Sequence, residues 1–127
     1  MKRVSGIGGI FFVAKDAPTL RAWYQKHLGV AVQPWGGAAF RWVDDGGNPS
    51  GGTTVWSISS NADYFAPSQS SFMVNYRVHD LHALLATLRE EGCKVLGNAE
   101  ESEFGKFGWV LDPEGNKVEL WQPPAGQ

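Results

Sequence analysis

The chain of 127 residues repeats itself once, and this repeat constrains its fold more than any other feature. The order strand, helix, three strands is predicted twice along the sequence. Asp16 and Asp80 each open a predicted helix, and 80 − 16 = 64. The turns "NPSGG", from Asn48, and "DPEGN", from Asp112, show the same offset, since 112 − 48 = 64. The sequence therefore predicts one domain, residues 1–127, of two repeats at about 4–60 and 70–123.

The helices are predicted from their ends and their apolar spacing. "DAPTLRAWYQKHLG" begins at an N-capping Asp16 and ends at Gly29. "HDLHALLATLREEG" begins at Asp80 and ends at Gly92. Its leucines recur at intervals of three and four residues, which is typical of a helix with one buried face.

The strands of the first repeat are predicted at "GIFFVA", "VAVQPW", "AAFRWVD" and "TTVWSIS", and those of the second at "FMVNYRV", "CKVLG" and the hairpin "WVLDPEGNKVELW". Residues 100–108, "EESEFGKFG", are predicted to be a loop, either plainly exposed or acting as a lid. The expected fold class is α+β: two βαβββ modules whose sheets join into a half-open curved sheet around a shared cleft.

Alternation along "MVNYRV" indicates which face of the sheet is polar. Val74, Tyr76 and Val78 are expected to pack on the helix, and the intervening residues face the other way. Those residues are Met73, Asn75 and Arg77. A buried face that carries an amide and a guanidinium is more typical of a pocket wall than of a dry core.

Composition excludes several classes of function. The 11 basic and 13 acidic residues give a net charge of −2, which offers no patch for nucleic acid or an anionic membrane. The apolar runs are far shorter than the roughly 18 residues of a membrane-spanning helix. The single cysteine, Cys93, is expected to be a small buried residue and is typical of a cytoplasmic protein without disulfides.

Three segments together resemble the vicinal oxygen chelate superfamily, which includes glyoxalases, bleomycin resistance proteins and extradiol dioxygenases. They are "FFVAKDAPTLRAWYQKHLG", "YRVHDLHALLATLREEG" and, most specifically, "VLDPEGNKVELWQP". The resemblance implies paired βαβββ modules around a U-shaped cavity. It also implies four metal-ligand positions, usually His or Glu, on the first strand of each module and on the strand after each turn.

Transferred by the offset of 64, these four positions fall on Gly9, Val55, Met73 and Glu119. Only Glu119 can bind a hard cation, and a catalytic metal normally has about three protein ligands. The expectation is therefore a protein without a metal or other cofactor. Gly9 either leaves room in the pocket or merely permits close approach of the backbone.

Glu119 has two alternative roles. It is either an inherited carboxylate in an ion pair with Arg77 or Arg41, or a general base in an apolar cleft. His79 and His82 lie outside the four ligand positions and are expected to be solvated.

Five of the six tryptophans fall on or beside predicted strands, more than two helices can cover. One or two of them, with Trp109 and Trp121 as candidates, are expected to line the cleft and stack on a flat ligand.

The favoured function is metal-free binding of a small apolar or aromatic molecule by a cytoplasmic homodimer. The expected ligand-binding residues are Gly9, Val55, Met73, Asn75, Arg77, Trp109 and Trp121. The alternatives are a glyoxalase-type lyase or isomerase that uses Glu119 as base or metal ligand, and a subunit whose main role is assembly with a partner protein.

Overall fold

A computed structural model describes residues 2–127 and confirms the α+β fold. Seven strands form one sheet with two helices packed against it. In chain order the elements are β1 (Val4–Val13), α1 (Ala17–Leu28), β2 (Gly37–Val43), β3 (Pro49–Ser59), a 3₁₀ helix (Ala62–Phe65), β4 (Phe72–Val78), α2 (Leu81–Glu90), β5 (Lys94–Ser102), β6 (Gly105–Leu111) and β7 (Lys117–Gln122).

The sheet order β2-β3-β1-β4-β7-β6-β5 has two halves with a similar arrangement of strands. In each half the first strand pairs in parallel with the last, β1 with β3 and β4 with β7. The two halves meet where β1 pairs antiparallel with β4. Parallel pairing requires a crossover connection, and α1 and α2 lie in those connections.

Both helices begin as the sequence predicts. The Asp16 carboxylate accepts a hydrogen bond from the Thr19 backbone N–H at 3.1 Å. The Asp80 carboxylate accepts the equivalent bond from Ala83, also at 3.1 Å. Each cap satisfies a backbone donor that the first helical turn leaves free.

The dry core lies between α2 and the second half of the sheet. Leu81, Leu84 and Leu85 of α2 pack with Val78 of β4 and Leu120 of β7. The predicted alternation along β4 is therefore confirmed. Within residues 2–127 neither helix has the length and hydropathy of a membrane span.

Two sequence predictions about secondary structure are wrong. The segment "VAVQPW" joins no strand ladder, so the first module has three strands where four were expected. Residues 100–108 are not a loop, because β5 and β6 extend into them and leave only Glu103 and Phe104 in a tight turn. The pairing of β5 with β6 shifts register between Leu96 and Glu100, and this irregularity interrupts the alternation of side chains by which the sequence would have predicted a strand.

The turn that matches "DPEGN" is "DDGGN", which begins at Asp44, and not "NPSGG". Asp44 and Asp112 each accept two backbone N–H bonds at 2.9 Å, from the second and fourth residues after them. Their offset is 112 − 44 = 68, so the shared value of 64 for the two landmarks was wrong. The helix starts and the turns are offset differently because β5 follows the helix in the second half, whereas residues 29–36 form no strand in the first half.

Candidate functional site

One row of directly paired residues crosses all seven strands and contains most of the predicted site. This central row is Ala39, Val55, Gly9, Asn75, Glu119, Trp109 and Leu96, in sheet order. Directly paired residues lie on the same face of a sheet. The neighbouring row, which contains Trp56, Ile10, Val74 and Val118, faces the helices. The central row therefore lies on the open face.

A cleft of about 680 Å³ opens on this face. Aromatic and apolar side chains form most of its wall, and three buried polar side chains lie in its floor. The lining also includes the exposed Arg41 and Gln127 and the half-buried Thr53. The floor residues Asn75, Arg77 and Glu119 are 2%, 7% and 2% exposed. The wall residues are Phe11, Trp35, Ala39, Val55, Phe104, Phe107 and Trp121. An apolar wall with a few fixed polar groups is the usual construction of a small-molecule site.

Glu119 is held by three neutral donors. The Asn75 side-chain amide donates to Oε1 at 2.7 Å, and the Trp109 indole N–H donates to Oε2 at 2.8 Å. The Tyr64 hydroxyl also donates to Oε2. Burial, and then the charge of Glu119, raise the pKa of Tyr64 above its usual value, so it stays a donor at neutral pH. These bonds stabilise the buried carboxylate without a cation.

The predicted ion pair of Glu119 with Arg77 or Arg41 is wrong: within residues 2–127 no salt bridge joins Glu119 to a basic side chain. Arg77 lies beside the rings of Trp42 and Trp121, with its guanidinium carbon 5.0 and 5.2 Å from their centres. Arg77 Nη2 donates to the main-chain oxygen of Gln127, and burial lowers the pKa of Arg77.

The structure brings Val55, Asn75, Arg77, Trp121 and Glu119 together around the cleft. Met73 and Trp109 face two adjoining recesses of about 240 and 600 Å³. Both recesses touch the Glu119 network, since Tyr64 lines each of them. These two predicted residues therefore lie beside the cleft and do not line it.

Gly9 does not line the cleft, whereas its neighbour Gly8 does. A Cβ at Gly9 would lie 2.7 Å from the Phe11 ring and 3.0 Å from the main-chain oxygen of Val55, so close packing explains this glycine. A Cβ at Gly8 would overlap Oδ1 of Asn75 and lie 2.9 Å from the Trp121 ring. The register of β1 shifts between Ile7 and Gly9, which places Gly8 at the cleft where the sequence analysis expected Gly9.

The predicted counterpart of Glu119 in the first module was also misplaced. The helix starts give an offset of 64, which equates Asn75 with Phe11 (75 − 11 = 64). Asn75 pairs with Glu119, and Phe11 pairs with Ser57. Ser57 and not Val55 therefore corresponds to Glu119, because β3 has 11 residues where β7 has six.

Sequence reasoning missed Tyr64 and Gln127. Tyr64 lies in the polar connector "NADYFAPSQSS", and only its being an aromatic residue among small polar ones could have marked it. Gln127 contacts Arg77 from 50 residues further along the chain, which no local pattern encodes.

Cys93 was predicted to be buried and is exposed, because it follows the end of α2 before β5 begins. His79 and His82 are exposed, as predicted.

Residues 9–121 match the Glyoxalase-like domain family. The chain belongs to this family. The match spans most of the chain and confirms the resemblance to the vicinal oxygen chelate superfamily. No curated protein sequence matches this glyoxalase-like protein.

Solved structures support the same fold. A methylmalonyl-CoA epimerase in complex with methylmalonyl-CoA and ammonium aligns with a TM-score of 0.69 and 17% identity, covering 98% of each chain. The methylmalonyl-CoA epimerase of Mycobacterium tuberculosis aligns at 0.62 and 17%, covering 95% of this chain and 89% of that one. A glyoxalase/bleomycin resistance protein/dioxygenase superfamily member from Vibrio splendidus 12B01 aligns at 0.59 and 15%, covering 91% and 97%.

The residues present do not fit the divalent metal that the superfamily resemblance implies. Gly9, Met73 and Val55, or Ser57 in its place, offer no usual ligand. Three of the acceptor sites on the Glu119 carboxylate already hold hydrogen bonds from protein donors. Across the described part of the chain, no group of three or more His, Cys, Asp or Glu side chains could hold an ion.

Proposed function

We propose that this glyoxalase-like protein binds a small, flat apolar or aromatic molecule in the cleft without a metal. The observation that carries the proposal is the cleft itself: about 680 Å³, walled by aromatic rings and floored by Asn75, Arg77 and Glu119. Rings such as Trp35 and Trp121 supply broad apolar contact and can stack on a flat ligand. The Glu119 carboxylate already accepts three hydrogen bonds from the protein. Contact with the apolar rings is therefore expected to supply most of the affinity for a ligand.

Tryptophan fluorescence with a panel of aromatic compounds tests the binding. Trp35, 56% exposed at the cleft, is expected to report the ligand, and Trp35→Ala should weaken binding several-fold. Trp23→Ala is the matched control, because Trp23 is 49% exposed on α1, outside the cleft lining. Absence of quenching by every compound, or equal effects of both substitutions, would contradict the proposal.

Calorimetric titration with Ni²⁺, Zn²⁺ and Mn²⁺ tests the metal-free part. We expect no stoichiometric binding at micromolar concentrations. Tight binding of one ion that disappears in Glu119→Ala would overturn this part of the proposal, since it would mean that the three donors yield the carboxylate to a cation.

A second candidate is a lyase, isomerase or epimerase in which Glu119 acts as base. It is favoured by the methylmalonyl-CoA epimerase neighbours, whose fold this chain shares. Incubation with methylmalonyl-CoA in D₂O would reveal it as deuterium incorporation beside the thioester carbonyl. Exchange that is lost in Glu119→Gln would favour catalysis over binding alone.

We also infer a homodimer. β2 forms one edge of the sheet and exposes Phe40 and Val43, and α1 exposes Leu20 and Leu28. Exposed apolar side chains of this size commonly mark an interface. Light scattering should give about twice the chain mass of 13.9 kDa, and a mass of one chain at every concentration would refute the dimer. The cytoplasmic location stays a prediction.

A further inference from the structure

We propose that the ligand of the cleft carries a carboxylate, and that this carboxylate pairs with Arg77. The inference rests on the proposed function and adds the chemical class of the ligand: an aromatic or apolar acid. Three observations support it. The buried guanidinium has no acidic side chain as partner, two rings fix its orientation, and one of its nitrogens already donates to an oxygen acceptor.

Arg77 is a buried cation that is not paired with an acidic side chain. It is 7% exposed, and within residues 2–127 no Asp or Glu forms a salt bridge with it. Its Nη1 is fully buried and has no hydrogen-bond partner. The nearby carboxylate of Glu119 is occupied by Asn75, Trp109 and Tyr64. Burying an unpaired charge is costly, so a buried guanidinium with a free donor favours an incoming anion.

Two indole rings fix the guanidinium. Trp42 and Trp121 lie 5.0 and 5.2 Å from its central carbon, within the range of a cation–π contact. Such contacts leave the N–H edge of the guanidinium as the part that can accept a partner. A carboxylate matches this edge, because its two oxygens accept two parallel N–H bonds.

The main-chain oxygen of Gln127 occupies part of this edge. It accepts from Nη2, and Gln127 lines the cleft beside Arg77. This contact shows that an oxygen acceptor can reach the N–H edge of the guanidinium and bond to it. A ligand carboxylate would replace the Gln127 oxygen and bond to both Nη1 and Nη2. Its apolar part would then lie against Phe107 and Trp121, which pair with each other across β6 and β7.

The test compares 2-naphthoate with 2-naphthamide, a neutral molecule of nearly the same shape, by calorimetry. On the unmodified protein we expect the acid to bind about tenfold more tightly or better. Arg77→Gln should remove this preference, and Arg77→Lys should keep part of it, because lysine keeps the charge and loses the two-pronged geometry. Arg89→Gln is the matched control, since Arg89 is exposed and bonds to Gly97, outside the cleft.

Removal of residues 125–127 gives an independent arm. It should strengthen binding of the acid and leave the amide unchanged, because it removes the competing oxygen. Equal affinity for acid and amide on the unmodified protein, or a preference that survives in Arg77→Gln, would overturn the inference. In that case binding of the amide would leave the proposed function standing, whereas binding of neither compound would refute both.

Discussion

Replacing Glu119 separates a structural carboxylate from a catalytic one. Glu119→Leu removes the only acceptor of the Asn75 amide N–H and the Trp109 indole N–H, both in a buried network. A buried donor without a partner costs about 1–3 kcal/mol, so the two together should lower the free energy of unfolding by about 2–6 kcal/mol. The Tyr64 hydroxyl contributes less, because Tyr64 is 42% exposed and can bond to water.

Glu119→Gln should be much milder. The Gln carbonyl can keep the bonds from Trp109 and Tyr64, while its NH₂ group faces Asn75. Asn75 can turn its amide over, since its Oδ1 has no partner in the folded protein and would gain one. The remaining loss is the charge on the acceptor, about 1 kcal/mol.

Urea unfolding measures both changes as shifts of the midpoint at constant slope. Glu114→Gln, which removes a carboxylate from an exposed turn, is the control and should leave the midpoint unchanged. The reasoning fails if the Gln variant loses as much stability as the Leu variant, or if the Leu variant loses none.

Three further predictions concern other parts of the molecule. Gly8→Ala should lower the free energy of unfolding by about 1–3 kcal/mol, because its Cβ would overlap Asn75 Oδ1; an unchanged thermal midpoint would contradict this. The pKa of Tyr64 is raised by burial and by Glu119, so tyrosinate absorbance that is lost in Tyr64→Phe should develop only well above pH 10; a difference that is complete near pH 10 would contradict it. Hydrogen bonds from Asn116 lower the pKa of Asp112 in the folded state, so its contribution is present above its unfolded pKa near 4 and lost as pH falls further. Asp112→Asn should therefore flatten the decline of thermal stability below about pH 4, and an unaltered decline would count against the bond.

Much of the fold could be predicted from the sequence because its signals are local. The capping aspartates and the leucine spacing of α2 fix the helices, and alternation along β4 fixes which residues face the cleft. The predicted positions of Asn75, Arg77 and Glu119 followed from this alternation and from one specific motif.

The errors arose where position depends on pairing between distant segments. A single offset could not hold for helix starts and turns together, because the second half has β5 where the first half has a segment without a strand. The register shift in β1 moved the cleft glycine from Gly9 to Gly8. Tyr64 and Gln127 reach the site through long-range contacts of 55 and 50 residues in sequence. Such contacts are set by tertiary packing and leave no periodic signal.

The position of Asn75 explains why the proposed ligand carboxylate would meet a guanidinium that is not paired with Glu119. Asn75 lies in register with Glu119 and donates to it, whereas Arg77 lies two residues further along β4, opposite Trp121. If Arg77 paired with Glu119, a ligand carboxylate would have to displace Glu119 from the guanidinium. Because Asn75, Tyr64 and Trp109 satisfy the carboxylate instead, Glu119 does not occupy the N–H groups of the guanidinium. The separation of Arg77 from Glu119 in the floor thus follows from the Asn75 amide, which pairs with Glu119 in the sheet and donates to its carboxylate.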